Sequence, residues 1–132
     1  MKYLIDTNIL IYLMNSKSVK LQEKFTTKSP DDFCVSVITV AELIYGAKKS
    51  KNIEKNLNAV IKILSPFTII DFSSEDAFAY GDIRAGLERN GQIIGANDLL
   101  IASQALSRNL IVVTANTGEF ARVGGLTIEN WV

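Results

Sequence analysis

The 132-residue sequence predicts an α/β fold: a small, mainly parallel sheet covered on both faces by helices. Three observations predict it. Strand-length runs that are apolar throughout, such as Tyr3-Leu4-Ile5 and Ile111-Val112-Val113, alternate with longer runs of helical period. Strands without a polar face belong in a parallel sheet buried between helix layers. The chain is 48% hydrophobic and 21% charged, ample for a core, and no repeat, linker or low-complexity tract divides it; one domain over residues 1–132 is expected.

Taken in order, residues 2–6 read as a short buried strand, and Asn8 to Met14 continues apolar as a helix. Val19 to Phe25 is a second helical piece, followed by a polar loop at Ser29-Pro30-Asp31-Asp32. Phe33 to Val37 is the second strand. Thr39-Val40-Ala41-Glu42 fits a capping box whose helix runs to about Lys48. Lys51 to Leu64 is amphipathic, with Ile53, Leu57, Val60, Ile61 and Leu64 on one face. Phe67 to Ile70 is the third strand. Ser73 or Ser74 caps a helix reaching Asn90, and Gly91 suits its end. Asp98 to Arg108 is helical, Leu110 to Thr114 is the fourth strand, Asn116 to Phe120 is one helical turn, and Leu126 to Ile128 is a last short strand. Ligands of such sheets bind outside the carboxyl ends of the strands, where strand order reverses. Asp6 ends the first strand and Thr114 the fourth, so they converge if those strands are neighbours.

Composition removes several chemistries. The chain has no histidine, which excludes Ser-His-Asp and Cys-His catalysis and zinc-histidine sites. The single cysteine, Cys34, lies in an apolar run and reads as a core residue; with no internal disulfide, a reducing compartment fits. Net charge is zero, so a polyanion must be met by a local patch or a bound metal. The apolar N-terminus is interrupted by Asp6 and Asn8, no signal cleavage site follows it, and no run is long enough to span a membrane; a soluble cytoplasmic protein is expected.

Three acids stand out: Asp6, Glu42 and Asp98. Each alone has an ordinary structural explanation, Asp6 as a cap, Glu42 closing the capping box and Asp98 stabilising the positive end of its helix. Together they are harder to explain, because all three sit in strongly apolar frames and unpaired buried carboxylates cost several kcal/mol, on the order of what a fold can lose. A cation supplies the missing countercharge. Oxygen-only ligands without histidine or thiolate favour Mg²⁺ or Mn²⁺, ions that serve phosphoryl and phosphodiester chemistry.

The same residues carry a family likeness. Leu4-Ile5-Asp6-Thr7-Asn8, Ser36 through Glu42 with Leu43 and Gly46, Gly95 through Ala102, and Val112 through Phe120 resemble, in order, the four motifs of PIN-domain ribonucleases. The tail from Phe120 to Leu126, closing on Asn130-Trp131, is similar to VapC-type toxins of toxin–antitoxin pairs. The resemblance implies a three-layer α/β/α sandwich, often homodimeric, that cleaves RNA with Mg²⁺ or Mn²⁺ and leaves a 5′-phosphate and a 3′-hydroxyl. It implies a tRNA substrate cut in the anticodon region, the initiator tRNA in some members. It also implies a small VapB-like antitoxin that inserts into the active-site groove and, as a complex, binds operator DNA. By position, Asp6, Asp98 and Glu42 are the implied metal and catalytic acids, with Asn8 and Thr114 fixing them. Asn116 departs from the pattern, since many members carry an acid there; Glu119, three residues on, is the candidate substitute.

Lys48, Lys49, Lys51 and Arg84, with Lys55, Arg89 and Arg122, are candidate RNA contacts, against a reading of solvated helix ends. Tyr12 and Tyr45 read as core or groove wall. Ile9, Leu13, Ile44 and Tyr45 are candidates for lining a groove that takes the antitoxin. Two competing functions are a metal-dependent phosphatase or phosphotransferase, disfavoured because Asp6-Thr7-Asn8 lacks a second Asp two residues after the first, and an inactive PIN-like binding protein that lost activity through Asn116.

Overall fold

Strands β1 (Tyr3–Ile5), β2 (Phe33–Ser36), β3 (Thr68–Ile70), β4 (Ile111–Val113) and β5 (Ile128–Glu129) form one sheet in the order β3-β2-β1-β4-β5, every neighbouring pair parallel. These elements come from a computed structural model that describes residues 1–15 and 18–132. The chain winds outward from β1 to β3, then returns to place β4 on the other side of β1. β1 and β4 are therefore the expected neighbours, and the order reverses between them.

Alternation along the strands sorts the core into two layers. Tyr3, Ile5, Phe33, Val35 and Val113 point to one face, where α1 (Thr7–Asn15), α2 (Val19–Thr26), α3 (Val37–Lys48) and α4 (Ile53–Leu64) bring Ile9, Leu10, Leu21, Leu43 and Val60. Leu4, Cys34 and Val112 point to the other, against Ile83, Leu99, Ile101 and Phe120 of α5 (Ser74–Arg89), α6 (Ala96–Ser107) and α7 (Thr117–Phe120). The result is the three-layer α/β/α sandwich. Trp131 seals the first face, 1% exposed and edge-on to Tyr3, Phe25 and Phe33. Cys34 is the expected core residue; burial pushes its thiol up to about 11.

Four readings need correction. The capping box at Thr39 and Glu42 does not form, because α3 starts two residues earlier: Ser36 is the cap, accepting the Ile38 N–H, and Thr39 is wholly buried inside the helix. On α4 the core-facing residues are Leu57, Val60, Ile63 and Leu64, whereas Ile53 and Ile61 are exposed; the helix begins at Ile53, two residues later than the sequence suggests. Tyr12 and Tyr45 are exposed rather than core, and Ile9 is core rather than groove. β3 is an edge strand with Thr68 and Ile69 facing outward, so its apolar run is not buried throughout.

Candidate active site

The carboxyl ends of β1 and β4 deliver Asp6 and Thr114 side by side. Asp6 is buried, and three donors converge on it: the Thr7 N–H at 2.8 Å on Oδ1, and the Thr114 hydroxyl at 2.8 Å and Asn8 Nδ2 at 3.2 Å on Oδ2. Asn8 is itself oriented from behind, its Oδ1 accepting the Ala115 N–H at 3.1 Å. Burial raises the Asp6 carboxyl above its usual range. The Thr114 and Thr7 hydrogen bonds oppose that rise, and the negative charges of Glu42 and Glu119 add to it.

Glu42 enters from α3. The Thr7 hydroxyl lies 2.8 Å from Glu42 Oε1 and 3.0 Å from the Thr39 hydroxyl. Thr7 thus touches two acids, Asp6 through its backbone and Glu42 through its side chain.

Asp98 lies in the first turn of α6. Asn116, at the start of α7, donates through Nδ2 to Asp98 Oδ2 at 2.8 Å and to Glu119 Oε2 at 2.6 Å. The other Glu119 oxygen accepts the Gly95 N–H at 2.8 Å. Asp98 is pushed up to about 7, first by burial, then by a hydrogen bond shared with Glu119 and by the charges of Asp6 and Glu119, with Asn116 pulling the other way. Glu119 is lowered by hydrogen bonds from Asn116, Asp98 and Gly95. Asn116 does not repel the acids as a fourth carboxylate would; it ties two of them together.

Among the described residues, no three acids or thiols close into a ready-made metal cage. The oxygens are instead satisfied by Thr7, Asn8, Thr114 and Asn116. The donor set available to a cation consists of oxygens alone, from Asp6, Asp98, Glu42 and Glu119. Burial raises both Asp6 and Asp98 and nearby negative charge adds to the rise, a charge that a divalent ion would offset. The residues present therefore fit a hard cation.

The sequence matches the PIN domain family over residues 3–126. This chain belongs to that PIN-domain family, among its VapC ribonucleases. It is 43% identical over 132 residues to ribonuclease VapC2 of Haemophilus influenzae, covering 100% of this chain and 99% of the relative. It is 42% identical over 131 residues to the tRNA(fMet)-specific endonuclease VapC of Shigella flexneri, covering 99% and 98%. Its fold superposes with a TM-score of 0.95 on a chain of DNA-bound VapBC from Salmonella typhimurium, at 40% identity and over 100% and 99% of the two chains. VapBC2 of Rickettsia felis, solved with a fragment of promoter DNA, gives 0.93 at 41% identity over 100% of both chains.

In this PIN domain all seven central residues named from sequence, Asp6, Asn8, Glu42, Asp98, Thr114, Asn116 and Glu119, belong to one hydrogen-bonded constellation around Thr7 and Asn116 or interact with it through charge. The basic candidates Lys48, Lys49, Lys51 and Arg84 are distributed over α3, the turn after it and α5. Lys49 lies seven residues after Glu42, nearly two turns along the same helical face, and its Nζ sits 5.0 Å from the Tyr45 ring centroid. Lys48 projects from a different face of the helix, and Lys51 lies beyond it. Arg84, on α5, is engaged by the Tyr80 hydroxyl and by Glu88. Arg122 donates to the Ile93 carbonyl, next to Glu119. Sequence reasoning missed Thr7 and Gly95 as working parts. The signal for Thr7 was its place between Asp6 and Asn8; for Gly95 there was none, since only its backbone is used.

Proposed function

We propose that this ribonuclease is the toxin of a toxin–antitoxin pair and hydrolyses tRNA with Mg²⁺ or Mn²⁺. The observation that carries the reading is that buried Asp6, at the β1/β4 switch point, is joined to Asp98 through Thr114 and Asn116, with the charge of Asp6 felt at Asp98. The naming of a Shigella flexneri relative as specific for tRNA(fMet) supports the substrate, and the VapBC structures support the partner.

Asp6 and Asp98 would hold the ion, with Glu42 and Glu119 beside it. Held there, an ion would supply countercharge to the scissile phosphate and would make a bound water more acidic. The rest falls to the chain. Thr114, Asn8 and Thr7 keep Asp6 pointing outward from the sheet. Glu42 Oε1 is occupied by Thr7, and among the described residues no donor reaches Oε2, which accepts the proton of the attacking water. The water oxygen bonds to phosphorus, the bond to the 3′ oxygen breaks, and that oxygen leaves as the 3′-hydroxyl after taking up a proton.

A groove of about 1050 Å³ between α1, α2 and α4 suits the antitoxin; none of Asp6, Glu42 and Asp98 lines it, so it lies outside the active-site groove expected from sequence. Leu13, Phe25, Ile63 and Phe67 line it, and Lys55 and Lys62 lie along it, favouring an apolar segment with acidic flanks. Of the groove residues expected from sequence, only Leu13 lies here.

The test is purified protein, freed of antitoxin, with a tRNA pool. Discrete cuts in Mg²⁺ or Mn²⁺ that disappear with chelator and with Asp98→Asn are expected. Cleavage that survives both sinks the reading, and turnover of a small phosphate ester without RNA cleavage supports the phosphatase alternative instead.

A further inference from the structure

We infer that Thr39 is a positioning residue for Glu42, acting at one remove through the Thr7 hydroxyl. Thr7 Oγ1 lies within hydrogen-bond distance of both Glu42 Oε1 (2.8 Å) and the Thr39 hydroxyl (3.0 Å). A threonine hydroxyl carries one proton, and an ionised carboxylate only accepts. The Thr7 proton therefore goes to Glu42, which leaves the Thr39 proton to be donated to the Thr7 oxygen. Thr39 is 0% exposed, so water cannot take its place, and Thr7 is the only hydrogen-bond partner of its hydroxyl among the described residues. The chain Thr39 to Thr7 to Glu42 consequently has one direction.

That direction has a consequence for Glu42. Without the Thr39 donor, the Thr7 hydroxyl is free to turn towards other acceptors, and the Glu42 carboxylate, half-buried at the rim, loses the anchor that leaves Oε2 free. Thr7 also holds Asp6 by its backbone N–H. One buried hydroxyl in the first turn of α3 thereby sets the spacing between two acids from different elements. Hydrogen bonds in series polarise one another, so the first strengthens the second. The location explains why a threonine occupies a wholly buried helical position where valine fills the same volume without a polar group to satisfy.

The inference rests on Glu42 as a working acid, and the test separates the two. Thr39→Val keeps shape and removes the donor; Thr39→Ser restores it; Thr7→Val removes the relay but keeps the backbone bond to Asp6. Cleavage of a tRNA pool by the full chain is measured as kcat and KM, with thermal melting of each variant alongside. Thr39→Val is expected to lower kcat about tenfold with KM unchanged, Thr39→Ser to recover most of it, and the double Thr7→Val/Thr39→Val variant to be no slower than Thr7→Val alone. Multiplying losses in the double variant, or wild-type kcat in Thr39→Val, overturns the inference. A Thr39→Val loss that follows its fall in melting temperature and is not recovered by serine overturns it too. Glu42→Gln is the control for the reading beneath: if it cleaves at the wild-type rate, Glu42 itself is displaced, whatever Thr39 does.

Discussion

Glu119 Oε1 accepts the backbone N–H of Gly95 at 2.8 Å, so an acid of α7 caps the helix that carries Asp98. Gly95 has no side chain to cap α6 itself, and a Cβ there would meet Glu119 Oε1 at 3.7 Å, ordinary contact; the position needs the N–H more than the space. Glu119→Ala removes this bond and the one from Asn116. A loss of about 1–2 kcal/mol is expected, read as a lower urea midpoint, together with slower tRNA cleavage because Asp98 is no longer held. An unchanged midpoint would show that the cap contributes nothing.

The Asp98 carboxyl makes stability depend on pH in an unusual direction. Raised to about 7 by burial, by the Glu119 hydrogen bond and by nearby acids, it stays protonated in the fold at pH values where the unfolded chain has released the proton. Its contribution is full below about pH 4 and is lost as pH rises through 7; Asp6, also raised, adds in the same sense. In chelator, the urea midpoint is therefore expected to fall from pH 5 to pH 8, and Asp98→Asn to flatten that fall. Divalent cation should reverse the trend, raising the melting temperature more at pH 8 than at pH 6, because binding requires the ionised acid. A slope untouched by Asp98→Asn would place the titration elsewhere.

Asp76 behaves in the opposite way. It is wholly buried at the start of α5, in a capping box with Ser73, and accepts from Arg108 and from the Ser107 hydroxyl. Burial pushes it up, but Arg108, Ser107 and Ser73 outweigh burial and bring it down to about 2. Its stabilisation is present above about pH 4 and lost as pH falls through 2. Asp76→Asn should cost about 2–3 kcal/mol in urea unfolding. Its neighbours stand at the opposite end of α6 from Asp98, so cleavage per folded molecule should be unchanged; a large kcat loss in a folded variant would contradict that separation.

What the sequence made legible follows from the range of each force. Strand and helix order was readable because apolar period is local, and Asp6, Glu42 and Asp98 were readable because acids in apolar frames are conspicuous. Thr39 was misread because a threonine three residues before a glutamate looks like a cap; its role is fixed by Thr7, 32 residues away, which no local pattern reveals. Ile61 was placed in the core because it fits the apolar face of α4, yet it is 65% exposed. The Asp76–Arg108 pair joins the start of α5 to the C-terminal end of α6, 32 residues away, and no spacing announces it.

Tyr45, a core or groove-wall residue by sequence, is exposed, and its exposure leads to a last prediction. The ring is 64% exposed on α3, and Lys49 Nζ lies 5.0 Å from its centroid. Both residues fall near the face that carries Glu42, at three and seven residues' distance. An exposed ring beside a cation suits a single-stranded nucleotide, the base stacking on the ring and the phosphate meeting the ammonium. Stacking of this kind is worth about 1–3 kcal/mol but acts equally on bound substrate and transition state, so it should appear in KM. Tyr45→Ala is expected to raise KM for tRNA about tenfold or more with kcat held. Lys49→Gln should weaken binding less and reduce its dependence on salt by about one phosphate contact. Lys48→Gln, on a different face of the same helix, serves as the matched control with a smaller change. If Tyr45→Ala leaves KM untouched but alters the oligomeric state, the ring faces another protein chain instead of RNA.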